Sequence, residues 1–220
     1  MTLLRLYLLR HGEPARRDIF YGQTDVELSR VGRAQARAQA DALAPVELSA
    51  IYSSDLQRAW NGALLLAARA ARPQPIAAPE LREMHLGLLE EREYARARLD
   101  HPEHAGLRYE DMLDHRFPGG GESVRDVAAR LLPFIALVIR AHAGPPDAAQ
   151  SPPSVAIVAH NTVHRLLLAH AAGLGSAGYI RFPQDLGAIS RIDVERVTDA
   201  PEDPLAAATI ALSNWRPHLQ

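Results

Sequence analysis

Short apolar runs that end in charged or polar residues alternate along the chain with longer segments in which apolar residues recur at helical spacing. The short runs predict buried strands, and the longer segments predict amphipathic helices that cover a sheet. Strands are predicted at residues 3–10, 49–53, 75–78, 155–159, 188–194 and 209–212. This alternation predicts an α/β fold, a three-layer α/β/α sandwich around a mostly parallel sheet.

The helices predicted between these strands have recognisable starts. Ser29 caps the first helix, whose inward-facing positions are expected at Val31, Ala34, Ala38 and Ala42. The second helix carries Arg58 in its first turn. Ser123 and Asp126 resemble a capping box at the start of a third helix, and a fourth is predicted over 162–172. We expect these helices to cover the two faces of the sheet.

Residues 87–121 are irregular and charged, which predicts a helical insertion over the carboxyl edge of the sheet, within a single domain spanning 1–220. His101, His104 and His115 lie in this insertion. Their separations do not match the paired spacing of zinc motifs, so no metal site is predicted, and a metal bound by these histidines is the minor alternative.

Composition limits the kinds of partner. The 220 residues contain no cysteine and no lysine, and the net charge is −2, with basic residues scattered along the chain. This pattern argues against a nucleic-acid surface, and the lack of cysteine excludes disulfides and thiolate chemistry. No apolar run reaches the roughly 20 residues of a membrane span. We therefore expect a soluble, cytoplasmic protein with no nucleic-acid or membrane partner; a homodimer is left open.

Cationic and imidazole side chains follow three of the predicted strands. Arg10, His11 and Gly12 end the first strand, Arg58 begins the helix after the second, and His160 ends the strand at 155–159. Parallel strands bring their carboxyl ends to one edge, so these residues are expected to converge there. A single histidine or arginine after a strand usually has a structural role or points to solvent. Two histidines and two arginines, all at or just after the carboxyl ends of strands, favour a site for an anion such as phosphate.

At this point the chain resembles the histidine phosphatase superfamily, also called phosphoglycerate mutase-like. The resemblance runs in family order over most of the chain, and only the insertion and the tail are unmatched. The matching segments are LLRHGE at 8–13, GQTDVELSRVGRAQA at 22–36, YSSDLQRA at 52–59, LREMHLG at 81–87, GGES at 120–123 and VAHN at 158–161.

The resemblance implies a role for each catalytic residue. His11 would be the nucleophile that becomes a phosphohistidine, while Arg10, Arg58 and His160 bind the phosphoryl oxygens and Glu83 donates a proton to the leaving group. Arginine side chains suit these oxygens, because they combine positive charge with paired hydrogen-bond donors and need no metal. An alkoxide leaves poorly unless an acid protonates it. No cofactor and no metal are expected.

Glu83 has alternatives at the level of sequence. It would also fit a surface carboxylate paired with Arg82 or Arg92. In that case Glu13 and Asp55, which lie near the same edge of the sheet, become the candidate acids.

Three residues are expected to contact the substrate, and one of them departs from the family pattern. Many members carry a tryptophan-asparagine pair after the RHG motif, where this chain has Arg16 and Arg17. Arg17 would either replace the phosphate-binding asparagine or point to solvent. Gln23 and Asn161 are the other candidates for substrate binding.

The resemblance implies a phosphomonoesterase that hydrolyses a small phosphorylated metabolite. Sugar phosphates, phosphoglycerate conjugates and alpha-ribazole phosphate are the expected substrate types, since segments typical of a glycolytic mutase are missing. A phosphoglycerate mutase-type phosphotransferase is the alternative enzyme. A non-catalytic binder of a phosphorylated ligand is the alternative from another class.

Overall fold

A computed structural model of the chain describes residues 2–69, 72–144, 151–197 and 203–219. The described strands form one six-stranded sheet in the order β3-β2-β4-β1-β5-β6. The strands are β1 Leu4–Arg10, β2 Ala50–Ser53, β3 Ile76–Ala77, β4 Ser154–Ala159, β5 Ile189–Val194 and β6 Ala208–Trp215. The α-helices are α1 Arg30–Ala42, α2 Gln57–Ala67, α3 Tyr94–Asp100, α4 Pro102–Ala105, α5 Val124–His142 and α6 Asn161–Ala171.

The sheet is mostly parallel, as the sequence predicts. Strands β3, β2, β4 and β1 run parallel to one another, whereas β5 pairs with β1 and with β6 in the antiparallel direction. Every residue of β4 is buried, which is expected of a central strand with helices on both faces. The carboxyl ends of β1, β2 and β4 therefore lie side by side.

Two hydrophobic clusters lie on the two faces of the sheet. Leu4, Leu6 and Leu8 of β1 belong to the cluster that contains the buried residues of α5 and α6. Tyr7 and Leu9 belong to the other cluster, which includes residues of α1 and α2. Successive residues of a strand point to opposite faces, so one apolar strand contributes to both clusters. This arrangement confirms the three-layer α/β/α architecture.

The inward face predicted for α1 is wrong at Val31 and Ala34, whereas Ala38 and Ala42 are half-buried and Ala42 packs against the hydrophobic cluster. Val31 is 52% exposed and Ala34 is also exposed. The buried positions are instead Gly32, Ala36, Gln39 and Ala40. Gly32 is selected because α1 approaches the loop after β1 too closely for a side chain. Gln39 is buried because its amide donates hydrogen bonds to the carbonyl oxygens of Arg10 (2.9 Å) and Ala188 (3.0 Å).

The other helix predictions are confirmed. The hydroxyl of Ser123 accepts a hydrogen bond from the backbone N–H of Asp126, whose carboxylate accepts one from the N–H of Ser123, so the capping box forms as predicted. The apolar residues that recur at helical spacing along α5 are all buried: Val124, Val127, Leu131, Ile135 and Val138. Helix α6 covers nearly the predicted range and is followed by Gly173 at φ 70°. None of the described helices combines the length and apolar character needed to cross a bilayer.

The insertion at 87–121 is helical, as predicted. It contains α3, α4 and two 3₁₀ turns, Gly87–Leu89 and Tyr109–Met112. Ala97 and Phe117 are buried in the same hydrophobic cluster as α5. An isolated bridge between Ile19 and Glu93 also joins the insertion to the loop after β1.

Two helical glycines should respond in opposite ways to alanine. A Cβ on Gly32 would lie 2.1 Å from the carbonyl oxygen of Glu13, whereas a Cβ on Gly62 of α2 would lie 3.7 Å from Val158. We expect Gly32→Ala to destabilise the protein by about 1–3 kcal/mol, because backbone must move. Gly62→Ala should stabilise it by up to about 1 kcal/mol through helix propensity. Urea unfolding of both variants measures the difference, and similar effects would contradict the close contact between α1 and the loop.

Candidate active site

The structure brings the two predicted histidines together. His11 follows β1 and His160 follows the neighbouring parallel strand β4, and their ring centroids are 5.0 Å apart. Both rings are buried, with exposures of 2% and 0%. Arg58 lies in the first turn of α2, after β2, on the other side of β4. These residues meet because three parallel strands end at the same edge.

A backbone contact fixes the tautomer of His11. Its Nδ1 lies 2.7 Å from the carbonyl oxygen of Gly12. A carbonyl oxygen only accepts hydrogen bonds, so Nδ1 carries the hydrogen and Nε2 of the neutral ring keeps its lone pair. Burial, followed by the positive charges of Arg58 and Arg10, holds the pKa of His11 well below its usual range. His11 therefore presents an unprotonated Nε2.

His160 is held by a serine at the same edge. Its Nε2 lies 2.8 Å from the hydroxyl oxygen of Ser54, which also accepts a hydrogen bond from the N–H of Leu56. Within the described residues, Nδ1 of His160 has no partner. Burial, with the charge of Arg58 and the proximity of His11, lowers the pKa of His160 well below the usual value.

Arg58 is a fully buried cation held by backbone oxygens. Its guanidinium donates hydrogen bonds to the carbonyl oxygens of Thr24 (2.9 Å) and Gly22 (2.5 Å) and lies 5.0 Å from the centroid of the Tyr21 ring. In the described part of the chain it forms no ion pair with a carboxylate, and its Nε has no hydrogen-bond partner. A buried charge without a counter-ion is costly. This arrangement fits an anionic ligand.

Arg10, like Arg58, is held by a backbone carbonyl oxygen and, within the described ranges, has an Nε without a hydrogen-bond partner. Its guanidinium donates a hydrogen bond to the carbonyl oxygen of Gln184, and its Nε is buried without a partner among the described residues. Burial lowers the pKa of both arginines, and the carboxylate of Glu83 is close enough to oppose this effect. Two guanidinium groups thus lie beside the histidine pair with donors available for an anion.

Glu83 faces a cavity of about 590 Å³ that Arg10 and Asn161 also line. One carboxylate oxygen of Glu83 accepts a hydrogen bond from the N–H of Met84 (2.8 Å), and the other accepts one from the N–H of Thr162 (3.3 Å). These backbone contacts, one of them from the first turn of α6, fix its orientation. Glu83 is therefore not a surface acid paired with a neighbouring arginine.

The alternative acids lie elsewhere. The carboxylate of Glu13 pairs with Arg17 and accepts a hydrogen bond from the hydroxyl of Ser29. Asp55 pairs with Arg82, whose Nε lies 2.7 Å from a carboxylate oxygen. Neither of these two carboxylates lines the cavity.

The candidate substrate-binding residues have different positions. Asn161 lines the cavity. Gln23 does not line it, and instead donates a hydrogen bond to the backbone carbonyl oxygen of Glu83 (3.0 Å). Arg17 has 69% of its side chain exposed and pairs with Glu13, so the structure does not bring it to the site. Of the two alternatives, Arg17 therefore points to solvent and does not replace the phosphate-binding asparagine.

Two residues of the site were not predicted from the sequence. Ser54, which contacts His160, directly follows a strand at the edge already identified, and that position was the available signal. Arg165 of α6 is only 8% exposed, and its guanidinium lies 4.5 Å from the centroid of the Tyr109 ring. No short-range sequence pattern marks this contact, because it joins α6 to the insertion.

The histidines of the insertion include one contacting pair. Nδ1 of His104 lies 3.1 Å from Nε2 of His115, and His104 lines the cavity. Over the described ranges, no group of three or more histidine, cysteine, aspartate or glutamate residues is arranged to hold a metal ion.

The fold is an α/β sandwich in which two histidines and two arginines meet at the carboxyl edge of the parallel strands. The chain belongs to the histidine phosphatase superfamily (branch 1), whose model matches residues 6–200. It is 35% identical over 219 residues to a glucosyl-3-phosphoglycerate phosphatase of Mycolicibacterium vanbaalenii, covering 98% of this chain and 93% of the relative. It is 31% identical over 199 residues to a probable phosphoglycerate mutase GpmB of Proteus mirabilis, covering 88% and 86%.

A solved structure supports the same assignment. The mycobacterial glucosyl-3-phosphoglycerate phosphatase in complex with inorganic phosphate superposes with a TM-score of 0.81 at 30% identity. The match covers 98% of this chain and 99% of that chain.

We expect His11 to be neutral at pH 6, with hydrogen on Nδ1. The imidazole ¹⁵N shifts of histidine-labelled protein measure this, with His11→Gln identifying the signal. Because the pKa is lowered on folding, the unfolded chain binds more protons below about pH 6.5. The stability contributed by neutral His11 is therefore present above that pH and declines as the pH falls. An imidazolium signal for folded His11 at pH 6 would contradict the described environment.

Proposed function

We propose that this protein is a phosphomonoesterase that hydrolyses a small phosphorylated metabolite through a phosphohistidine on His11. The main observation in support is that neutral His11, with Nε2 unprotonated, lies beside two arginines. Arg58 is fully buried and Arg10 is half-buried, and neither forms an ion pair with a carboxylate in the described part of the chain. Phosphoryl transfer requires mainly positioning and positive charge around the oxygens. This site supplies both from its own side chains.

In the first step, Nε2 of His11 attacks phosphorus and the bond from phosphorus to the alcohol oxygen breaks. Arg10, Arg58 and His160 bind the three phosphoryl oxygens that carry the charge. Glu83, in its protonated form, gives its proton to the departing alcohol oxygen. The products are the free alcohol, phosphohistidine and the Glu83 carboxylate.

In the second step, water attacks phosphorus on the opposite side from Nε2. The Glu83 carboxylate takes a proton from this water, and the bond from phosphorus to Nε2 breaks. Inorganic phosphate is released, and His11 and protonated Glu83 are restored. The cavity beside Glu83, about 590 Å³ in volume, has room for this water once the alcohol has left.

The relatives support the substrate class. A phosphatase of glucosyl-3-phosphoglycerate matches nearly the whole chain, which favours a sugar-phosphate or phosphoglycerate-conjugate substrate, with alpha-ribazole phosphate as a further type. The match to a probable phosphoglycerate mutase keeps phosphoryl transfer between hydroxyl groups as the alternative. The weak net charge of −2 is consistent with our expectation of a cytoplasmic enzyme without a nucleic-acid partner.

The leaving group should separate the roles of Glu83 and His11. Glu83→Gln should lower kcat/KM for an alkyl phosphate by about 10²- to 10⁴-fold, the range of general acid catalysis. It should lower kcat/KM for p-nitrophenyl phosphate much less, because nitrophenolate leaves without a proton. His11→Ala should reduce hydrolysis of both substrates to near background. Steady-state kinetics with both substrates, in the presence of a chelator, measures these losses.

Asp55→Asn is the matched control, because Asp55 pairs with Arg82 outside the cavity. It should not discriminate between the two substrates. Equal losses on both substrates in Glu83→Gln would reject its role as the acid. A loss of wild-type activity on chelation that a divalent ion restores would reject the mechanism built on histidine and arginine alone.

Hydrolysis should outpace isomerisation. Supplied with 3-phosphoglycerate and its bisphosphate primer, the protein should release phosphate faster than it forms the 2-isomer, since the cavity admits water to the phosphohistidine. Phosphorus NMR follows both products in one sample. Faster isomer formation would favour the mutase alternative. If His11→Ala left the rate of phosphate release unchanged, the release would come from a contaminating enzyme, and the non-catalytic binder would be favoured.

A further inference from the structure

Part of the cavity beside Glu83 is lined by aromatic side chains that phosphoryl transfer does not require. Phe20, Tyr94 and Tyr109 line it, and we refer to these three residues as the aromatic wall. Tyr94 is 37% exposed and Tyr109 is 51% exposed. Exposed aromatic surface inside a concave site is typical of surface that a ligand covers.

Tyr109 is fixed in position although half of it is exposed. The guanidinium carbon of Arg165 lies 4.5 Å from the centroid of its ring, and the Tyr179 ring packs edge-on at 6.4 Å between centroids. The hydroxyl of Tyr179 also donates a hydrogen bond to the backbone carbonyl oxygen of Tyr109. Arg165 and Tyr179 are themselves 8% and 1% exposed. Because Tyr109 is already held, little conformational freedom is lost when a ligand stacks on it.

Tyr94 is held in a similar way on a neighbouring part of the cavity. Its ring packs edge-on against Phe20, with centroids 4.7 Å apart and planes at 90°. Its backbone N–H donates a hydrogen bond to the carbonyl oxygen of Asp18 (2.9 Å). Tyr21, Tyr94 and Tyr109 all line the same cavity. Burial, followed by the proximity of Tyr21 and Tyr109, raises the pKa of Tyr94.

We propose that the aromatic wall binds the alcohol part of the substrate, so that the preferred phosphomonoesters carry a ring with an apolar face rather than a short carbon chain. This inference rests on the proposed function and makes Tyr94 and Tyr109 its specificity-determining residues. A cavity of about 590 Å³ falls within the range of about 300–1,000 Å³ that holds ligands much larger than a triose. Tyrosine offers a large rigid face for a ring at low entropic cost.

An anionic substituent is the competing preference, because Arg98 and Arg108 line the same cavity. The guanidinium of Arg108 is engaged by Glu110 and Asp111. Arg98 would then be the residue that receives a carboxylate. The experiment therefore compares a ring with a carboxylate at the same distance from phosphorus.

The first measurement compares 2-phenylethyl phosphate with ethyl phosphate, two primary alkyl esters that make the same demand on the acid. We expect kcat/KM for the ring-bearing ester to be at least about tenfold higher, which corresponds to about 1.4 kcal/mol. Tyr94→Ala and Tyr109→Ala should each reduce this ratio, and Tyr109→Phe should retain it. Leu99→Ala is the matched control, since Leu99 is 76% exposed on α3 and does not line the cavity. Circular dichroism checks that each variant folds.

The second measurement needs no turnover. Calorimetry compares the binding of 3-phenylpropylphosphonate, propylphosphonate and 4-phosphonobutanoate to the wild type and the same variants. If the phenyl compound binds most tightly to the wild type and Tyr109→Ala loses this preference, the aromatic wall is supported. If, in addition, no ester is hydrolysed, only the proposed function is rejected. Equal affinity of the phenyl and propyl compounds, or tightest binding of the carboxylate compound, overturns the inference.

Discussion

The structure of the site depends on placing one fully buried and one half-buried guanidinium group where, among the described residues, no carboxylate forms an ion pair with either of them. Removing such charges from water costs several kcal/mol unless other groups replace the lost solvation. Backbone carbonyl oxygens of Gly22 and Thr24 do this for Arg58, and that of Gln184 does it for Arg10. The loops after β1 and before β5 must therefore keep the conformations that direct these oxygens inward.

The same two cations add to the effect of burial on the protonation state of His11. Their positive charge adds to burial in lowering the pKa of His11 and of His160, so that neither ring competes with the arginines as a cation. Under the proposed function, a phosphoryl group would meet fixed positive charge and a neutral imidazole rather than a protonated one. In the proposed mechanism the arginines therefore have two effects: they bind the anion, and they add to burial in keeping His11 neutral.

The sequence predicts the parts of this structure that depend on local pattern. Strands that are apolar throughout, such as β4, and the capping box of α5 can be identified from neighbouring residues alone. The convergence of His11 and His160 follows from the geometry of parallel strands. Hydrophobicity alone did not locate the buried face of α1, because Gly32 and Gln39 belong to it. Gly32 packs against the backbone of Glu13, and the amide of Gln39 donates a hydrogen bond to the carbonyl oxygen of the distant residue Ala188.

Long-range packing explains the remaining differences. Whether Arg17 reaches the site depends on Glu13, which captures it near the surface, and both outcomes fit the same local sequence. The contact between Arg165 and Tyr109 joins residues that are far apart in the chain, and no periodic pattern links them. Such long-range contacts decide which side chains line a cavity, but they cannot be predicted from the periodicity of apolar residues in strands and helices.

The hydrogen bond from His11 to the carbonyl oxygen of Gly12 has a further consequence for tolerance to mutation. In many enzymes a carboxylate side chain orients the catalytic histidine, and one substitution removes it. Here the acceptor belongs to the main chain, and every amino acid carries that carbonyl group. No exchange of side chains can delete the acceptor itself; only a shift of the backbone can. The orientation of the His11 ring therefore depends on the path of the main chain, and on the residues that keep α1 close to Gly12.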